Sequence, residues 1–68
     1  MRFRLIFSMD NDAFSVDPAA EVAMVLSRLS DHVFADPMVS GEPWSRNVFD
    51  SNGNLIGLAI VEESDAAP

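Results

Sequence analysis

The stretch Asp50-Ser51-Asn52-Gly53-Asn54 followed by Leu55-Ile56-Gly57-Leu58-Ala59-Ile60-Val61 constrains this chain more than any other. Asn and Gly both tolerate positive φ, so Asn52-Gly53 lets the backbone reverse within a few residues. The run from Leu55 to Val61 then carries no charge and only small or aliphatic side chains, the composition of a strand with neighbours on both edges. A hairpin whose second arm is a central strand requires a sheet of at least three strands. The rest of the chain must supply the third.

The N-terminus supplies it. Phe3, Leu5, Phe7 and Met9 alternate with Arg2, Arg4, Ile6 and Ser8, which is the period of a half-buried strand whose first set faces the core. Asp10 to Asp17 is then a polar loop, with Phe14 and Val16 expected to pin it to the body. Asp17-Pro18 starts a helix, because the Asp carboxylate can accept from free N–H groups and Pro at the first position sacrifices no hydrogen bond. Val22, Val25, Leu26, Leu29 and Val33 recur at spacings of three and four and form a stripe that covers a sheet. The helix runs to about Phe34 and ends by Asp36-Pro37, since a residue before proline disfavours helical geometry. Trp44 to Phe49 has mixed polarity on both sides and reads as an edge strand, its phase open.

The expectation is an α+β fold of order β-α-β-β, with one helix packed on one face of a three-stranded sheet. A crossover helix between the first two strands leaves a gap that the third fills antiparallel to both, with the most apolar strand in the middle. Residues 1–63 form a single domain and 64–68 a frayed acidic tail. On the open sheet face, Arg4 and Ile6 are expected beside the small residues Gly57 and Ala59, a shallow strip for a second subunit.

Seven Asp and four Glu stand against four Arg and no Lys, a formal net charge of −7. Such a field repels nucleic acid and acidic membranes and attracts basic surfaces, so no direct nucleic-acid or membrane partner is expected. The absence of cysteine excludes disulfides and thiolate metal sites, and the cytoplasm is the default location. The apolar run near the N-terminus ends by Met9-Asp10, too short for a signal core or a membrane span. A chain of 68 residues encloses no large cavity.

Chemistry-bearing patterns are few. Asp50-x-Asn52-x-Asn54 opens like a calcium loop, but Leu55 stands where that loop needs glycine and Val61 where it needs glutamate; turn chemistry explains these residues instead. Asp10, Asp12 and Asp17 read as a solvated loop, His32 has no triad partners, and the glycine spacing matches no phosphate loop. No enzyme, cofactor or metal is expected. Asp10, Asp12, Asp17, Glu21 and Asp31 could instead align as an acidic ridge, presenting repeated negative charge to a basic groove as a phosphate backbone does. Met24, ringed by polar residues, is the candidate apolar contact of that surface, together with Phe14 or Trp44.

The pattern from Arg2-Phe3-Arg4-Leu5 to Asp10-Asn11-Asp12-Ala13-Phe14, then Asp17-Pro18-Ala19-Ala20-Glu21-Val22-Ala23 to Leu29, closing with Asp50-Ser51-Asn52-Gly53-Asn54-Leu55-Ile56-Gly57, resembles short acidic proteins of bacteriophages and prophages. Among these are anti-CRISPR inhibitors, several of which cover basic nucleic-acid channels of Cas complexes. The resemblance implies a phage-borne, DNA-mimicking inhibitor that binds a larger protein in the host cytoplasm as a monomer or homodimer. The rival expectation is a structural or assembly module that dimerises through its open sheet face.

Overall fold

In the computed structural model, which describes residues 1–39 and 41–62, the chain forms β1 (Arg2–Phe7), a single 3₁₀ turn (Asp12–Phe14), α1 (Pro18–Ala35), β2 (Trp44–Phe49) and β3 (Leu55–Glu62). The sheet order is β1-β3-β2, and β3 is antiparallel to both neighbours. The charge-free strand therefore takes the centre, and β1 and β2 run parallel on the two edges. The acidic tail expected at 64–68 falls outside the described residues.

Helix α1 starts as its first residues dictate: Asp17 is the N-cap, its side chain accepting from the Ala20 amide at 3.1 Å, and Pro18 opens the first turn. At the other end Asp36 donates its backbone N–H to the His32 carbonyl, and Pro37 prevents continuation. Val25 and Leu29 are buried, while Val22, Met24 and Val33 pack half-buried on the core. Leu26, read as part of the same stripe, is 46% exposed. The helix meets the sheet through a narrower seam than its apolar pattern would cover. Phe14 anchors the first loop as expected, its ring 6.1 Å from that of Phe7, but Val16 points into solvent and pins nothing.

The register resolves the phase of β2 and corrects the assignment of the sheet faces. Phe3, Val61 and Trp44 lie in one row across the sheet, Leu5, Ala59 and Arg46 in the next, Phe7, Gly57 and Val48 in the third. These rows contain the core side, with Trp44, Val48, Ala59 and Val61 buried. Ala59 has no exposed surface and Gly57 stands opposite Phe7, so neither belongs to the open strip with Arg4 and Ile6. On the open face Arg4 and Ile6 instead neighbour Ile60 and Leu58. The alternation argument failed because it read β3 in isolation: which side a small residue takes is set by the strand it pairs with.

A bulge explains a further departure. Val48 pairs with Gly57 but Phe49 pairs with Leu55, so Ile56 is the extra residue on β3, and it joins the buried cluster. Beside it, Gly57 is needed for close approach: a Cβ there would run into the Ile6 carbonyl and the Phe7 backbone. Gly57→Val is expected to destabilise the fold by about 1–3 kcal/mol through overpacking against β1. A urea titration of the purified variant checks this; an unchanged midpoint would contradict the crowding between β1 and β3.

Candidate functional site

The carboxylates assigned to one acidic ridge divide into two groups. Asp10, Asp12, Asp17 and Asp31 are exposed. Asp10 lies just past β1, where it accepts from the Ser8 hydroxyl at 3.0 Å, Asp12 opens the 3₁₀ turn, and Asp17 caps the helix. Glu21 is the exception. Its side chain is buried and accepts from the Ser51 amide at 2.7 Å and the Ser51 hydroxyl at 2.9 Å. It fastens the first turn of α1 to the hairpin loop, so it presents no charge to a partner. Met24 is likewise turned to the core rather than standing on the polar face. The continuous ridge is therefore interrupted: three exposed carboxylates lie on the segment between β1 and α1, and Asp31 stands apart along the helix.

The second buried carboxylate is Asp50. Its Oδ1 accepts from the backbone amides of Asn52 and Asn54, both at 2.9 Å, and its Oδ2 from the Asn11 side chain at 3.0 Å and the Asn54 side chain at 3.3 Å. The Asp50 carbonyl takes the Gly53 amide, and its own N–H reaches the Asn54 carbonyl. Gly53 adopts φ 84°, which the turn signal anticipates. The calcium-like spacing of Asp50, Asn52 and Asn54 thus has an internal purpose: the two Asn residues present donors to the carboxylate where a calcium loop would present oxygens to a metal. Burial by itself would raise the Asp50 carboxyl pKa. The donors from Asn11, Asn54 and Asn52 outweigh it, and the pKa lies below the ordinary value. Among the described residues no group of three His, Cys, Asp or Glu side chains could hold a metal ion.

What the sequence reading missed is an apolar groove of about 450 Å³ between β1 and the C-terminal half of α1. Phe3, Leu5, Leu26, Leu29, Val33 and Phe34 form most of its walls. Phe34 is 90% exposed and Phe3 47% exposed. Phe3 leans toward Trp44, with ring centroids 6.2 Å apart, and the Trp44 indole donates to the Asp36 carbonyl at 2.9 Å. Trp44 is thereby a core residue that holds the end of α1 to β2. The available signal was Phe34: it lies five residues beyond Leu29, off the stripe that faces the sheet, yet is fully apolar.

A separate apolar area lies on the uncovered face of the sheet, where Ile6 and Leu58 are paired and both exposed, with Leu55 and Phe49 exposed at the hairpin end. Arg4 lies on the same face, 3.4 Å from Glu62. On the core side, Arg46 reaches Asp36 at 4.0 Å, while its Nε is enclosed without a hydrogen-bond partner among the described residues.

Comparison with family profiles, with curated proteins and with solved structures found no match to this chain. Among the described residues no helix is long and apolar enough to cross a membrane.

Proposed function

We propose that this chain is a non-enzymatic binding module that docks on a basic surface of a larger protein, and that it acts in the cytoplasm as a phage-borne inhibitor covering a nucleic-acid channel of a Cas complex. The observation that carries the binding reading is the distribution of charge. Of the described carboxylates only Glu21 and Asp50 are buried, whereas Asp10, Asp12, Asp17, Asp31, Asp36 and Glu42 are exposed in a chain of net charge −7. Such a surface accelerates encounter with a cationic partner, and exposed apolar side chains beside it slow release. The narrower reading as an anti-CRISPR inhibitor is supported by the resemblance to short acidic phage proteins.

The test is binding to a purified Cas surveillance complex over a range of salt, with and without target DNA. Charge reversal of Asp10, Asp12 and Asp31 together, with the helix cap Asp17 kept, is expected to weaken binding by roughly tenfold or more at low salt, and target DNA to compete. Binding indifferent to these changes, or absent, removes the inhibitor reading. Glu21 is not part of this variant, since reversing it would detach the hairpin loop.

The exposed Ile6, Leu55, Leu58 and Phe49 favour a second reading, assembly of two copies through the open sheet face. Ile6→Lys separates the two readings: it disrupts a dimer built on this face and leaves the acidic surface intact.

A further inference from the structure

We infer that the free edge of β1 is a homodimer interface: a second copy of the chain adds its own β1 antiparallel to the first, centred on Leu5. Two sheets then join into one of six strands, and the groove beside each β1 is closed by α1 of the other copy. The inference rests neither on the basic-partner reading above nor on the open sheet face.

The backbone argument comes from the register. β1 has one strand neighbour, β3, so its other edge is unpaired within the sheet. The Ser8 amide donates to the Ile56 carbonyl at 2.9 Å, directly opposite in the register of Arg2 to Phe7. Hydrogen-bonded and non-hydrogen-bonded pairs alternate along an antiparallel ladder. Arg2, Arg4 and Ile6 therefore direct their backbone groups to β3, and Phe3, Leu5 and Phe7 direct theirs outward. These outward groups are self-complementary: in an antiparallel pair Leu5 meets Leu5 of the other copy, and Phe3 meets Phe7.

Charge selects a second copy as the occupant. β1 carries Arg2 and Arg4 in its first half and no carboxylate, whereas Asp10 and Asp12 follow its last residue. Pairing centred on Leu5 sets Arg2 opposite Ser8 of the other copy. The Ser8 hydroxyl donates to the Asp10 carboxylate at 3.0 Å and so holds it beside the position that Arg2 faces. Each strand brings its cationic end to the acidic end of the other, twice by symmetry. Arg4 falls opposite Ile6 and keeps Glu62 of its own chain at 3.4 Å.

Helix α1 supplies the rest of the match. Beside the seam that packs on the core, Ala19, Ala23, Leu26, Ser30 and Phe34 recur at spacings of three and four; all are exposed and none is charged. Leu26, Ser30 and Phe34 line the groove with Phe3 and Leu5, which puts this stripe on the β1 side of the helix. A two-fold axis normal to the joined sheet leaves both helices on the same face. The C-terminal half of one stripe then faces the N-terminal half of the other, and the exposed Phe34 ring is directed toward the small Ala19 and Ala23 of the other copy. An isolated extended segment would fill the strand edge and leave the helix stripe bare. A second copy covers both.

Sedimentation equilibrium of the full chain from micromolar to millimolar concentration, with amide exchange, tests this. The expected result is a monomer–dimer equilibrium in which exchange at Phe3, Leu5 and Phe7 slows as concentration rises. Phe34→Asp, at a side chain already in solvent, is expected to weaken the dimer by roughly tenfold or more. Arg2→Asp and Asp10→Arg are each expected to weaken it, and both substitutions in one chain to restore it, because the exchanged charges meet again in the antiparallel pair. Leu58→Lys, on the open face one strand in from the edge, is expected to leave it intact. A chain that stays monomeric throughout overturns the inference. So does a double charge variant no better than the single ones, or a dimer lost in Leu58→Lys and kept in Phe34→Asp, which assigns assembly to the open face.

Discussion

Trp44→Ala is expected to remove between about a third and all of the stability of the fold. Removing a buried tryptophan costs about 3–5 kcal/mol. A domain of this size, at about 0.05–0.15 kcal/mol per residue, holds between about 3 and 10 kcal/mol in total. The loss is concentrated at a point where three parts of the fold meet: the indole is buried in the core, lies tilted beside the Phe3 ring of β1, and donates to the carbonyl of Asp36 at the end of α1. Trp44→Phe separates the ring from the hydrogen bond. It keeps most of the apolar area, strips the Asp36 carbonyl of its donor, and is expected to cost about 1–3 kcal/mol. Urea unfolding followed by far-ultraviolet circular dichroism measures both; an unchanged midpoint for the alanine variant would place Trp44 outside the core.

The second large effect is expected at Asp50, and it depends on pH. Four donors converge on its carboxylate, two on each oxygen. An amide can accept on one side only, so Asp50→Asn sets its own NH₂ against the Asn11 and Asn54 donors. Asp50→Ala leaves all four without an acceptor. In either variant amide exchange at Asn52, Gly53 and Asn54 is expected to accelerate by roughly tenfold or more, because several hydrogen bonds of the loop fail together. Since the folded pKa lies below the ordinary value, the ionised Asp50 contributes stability that is fully present above the unfolded carboxylate pKa of about 3.9 and is lost as pH falls through the lower folded value. The wild-type chain should therefore show an acid limb of destabilisation that Asp50→Asn flattens. Identical acid limbs would remove Asp50 as its source.

Asp50 and Glu21 together show why charge counting misleads in a small fold. Asp50 stands in a polar stretch and Glu21 in an apolar one, yet both are buried and serve the hairpin, one from within the loop and one from the helix across it. The sequence offers no cue that Glu21 and Ser51, thirty positions apart, will meet. Its place in the first turn of α1 does favour a carboxylate, but equally well an exposed one. The acidic field remains, now carried by residues at the junction of β1 and α1, at Asp31, and around Asp36 and Glu42.

The groove teaches the complementary lesson about apolar residues. Leu26 and Val33 both satisfy the helical period, but only Val33 packs on the core, because an 18-residue helix crossing a three-stranded sheet cannot bury the whole of so wide a stripe. What it leaves uncovered is decided by where the helix lies relative to β1. Pinning by Trp44 and Arg46 ties its C-terminal end to β2, and the surplus falls on the β1 side.

The sequence by itself determined the elements, because each is coded by neighbours within a few residues: alternation in β1, the Asp17-Pro18 start of α1, the Asn52-Gly53 reversal, and the charge-free run of β3. It also determined the topology, since only a central position suits that run. The tertiary structure alone decided which side of the sheet Gly57 and Ala59 occupy, which carboxylates are withdrawn from the surface, and where the groove opens. Those outcomes depend on pairing register, a one-residue bulge at Ile56 and contacts between residues far apart in the chain. The Asp50–Val61 segment specifies its own turn and strand, but it acquires its partners, Asn11, Glu21, Ile6 and Phe7, only when the chain closes around it.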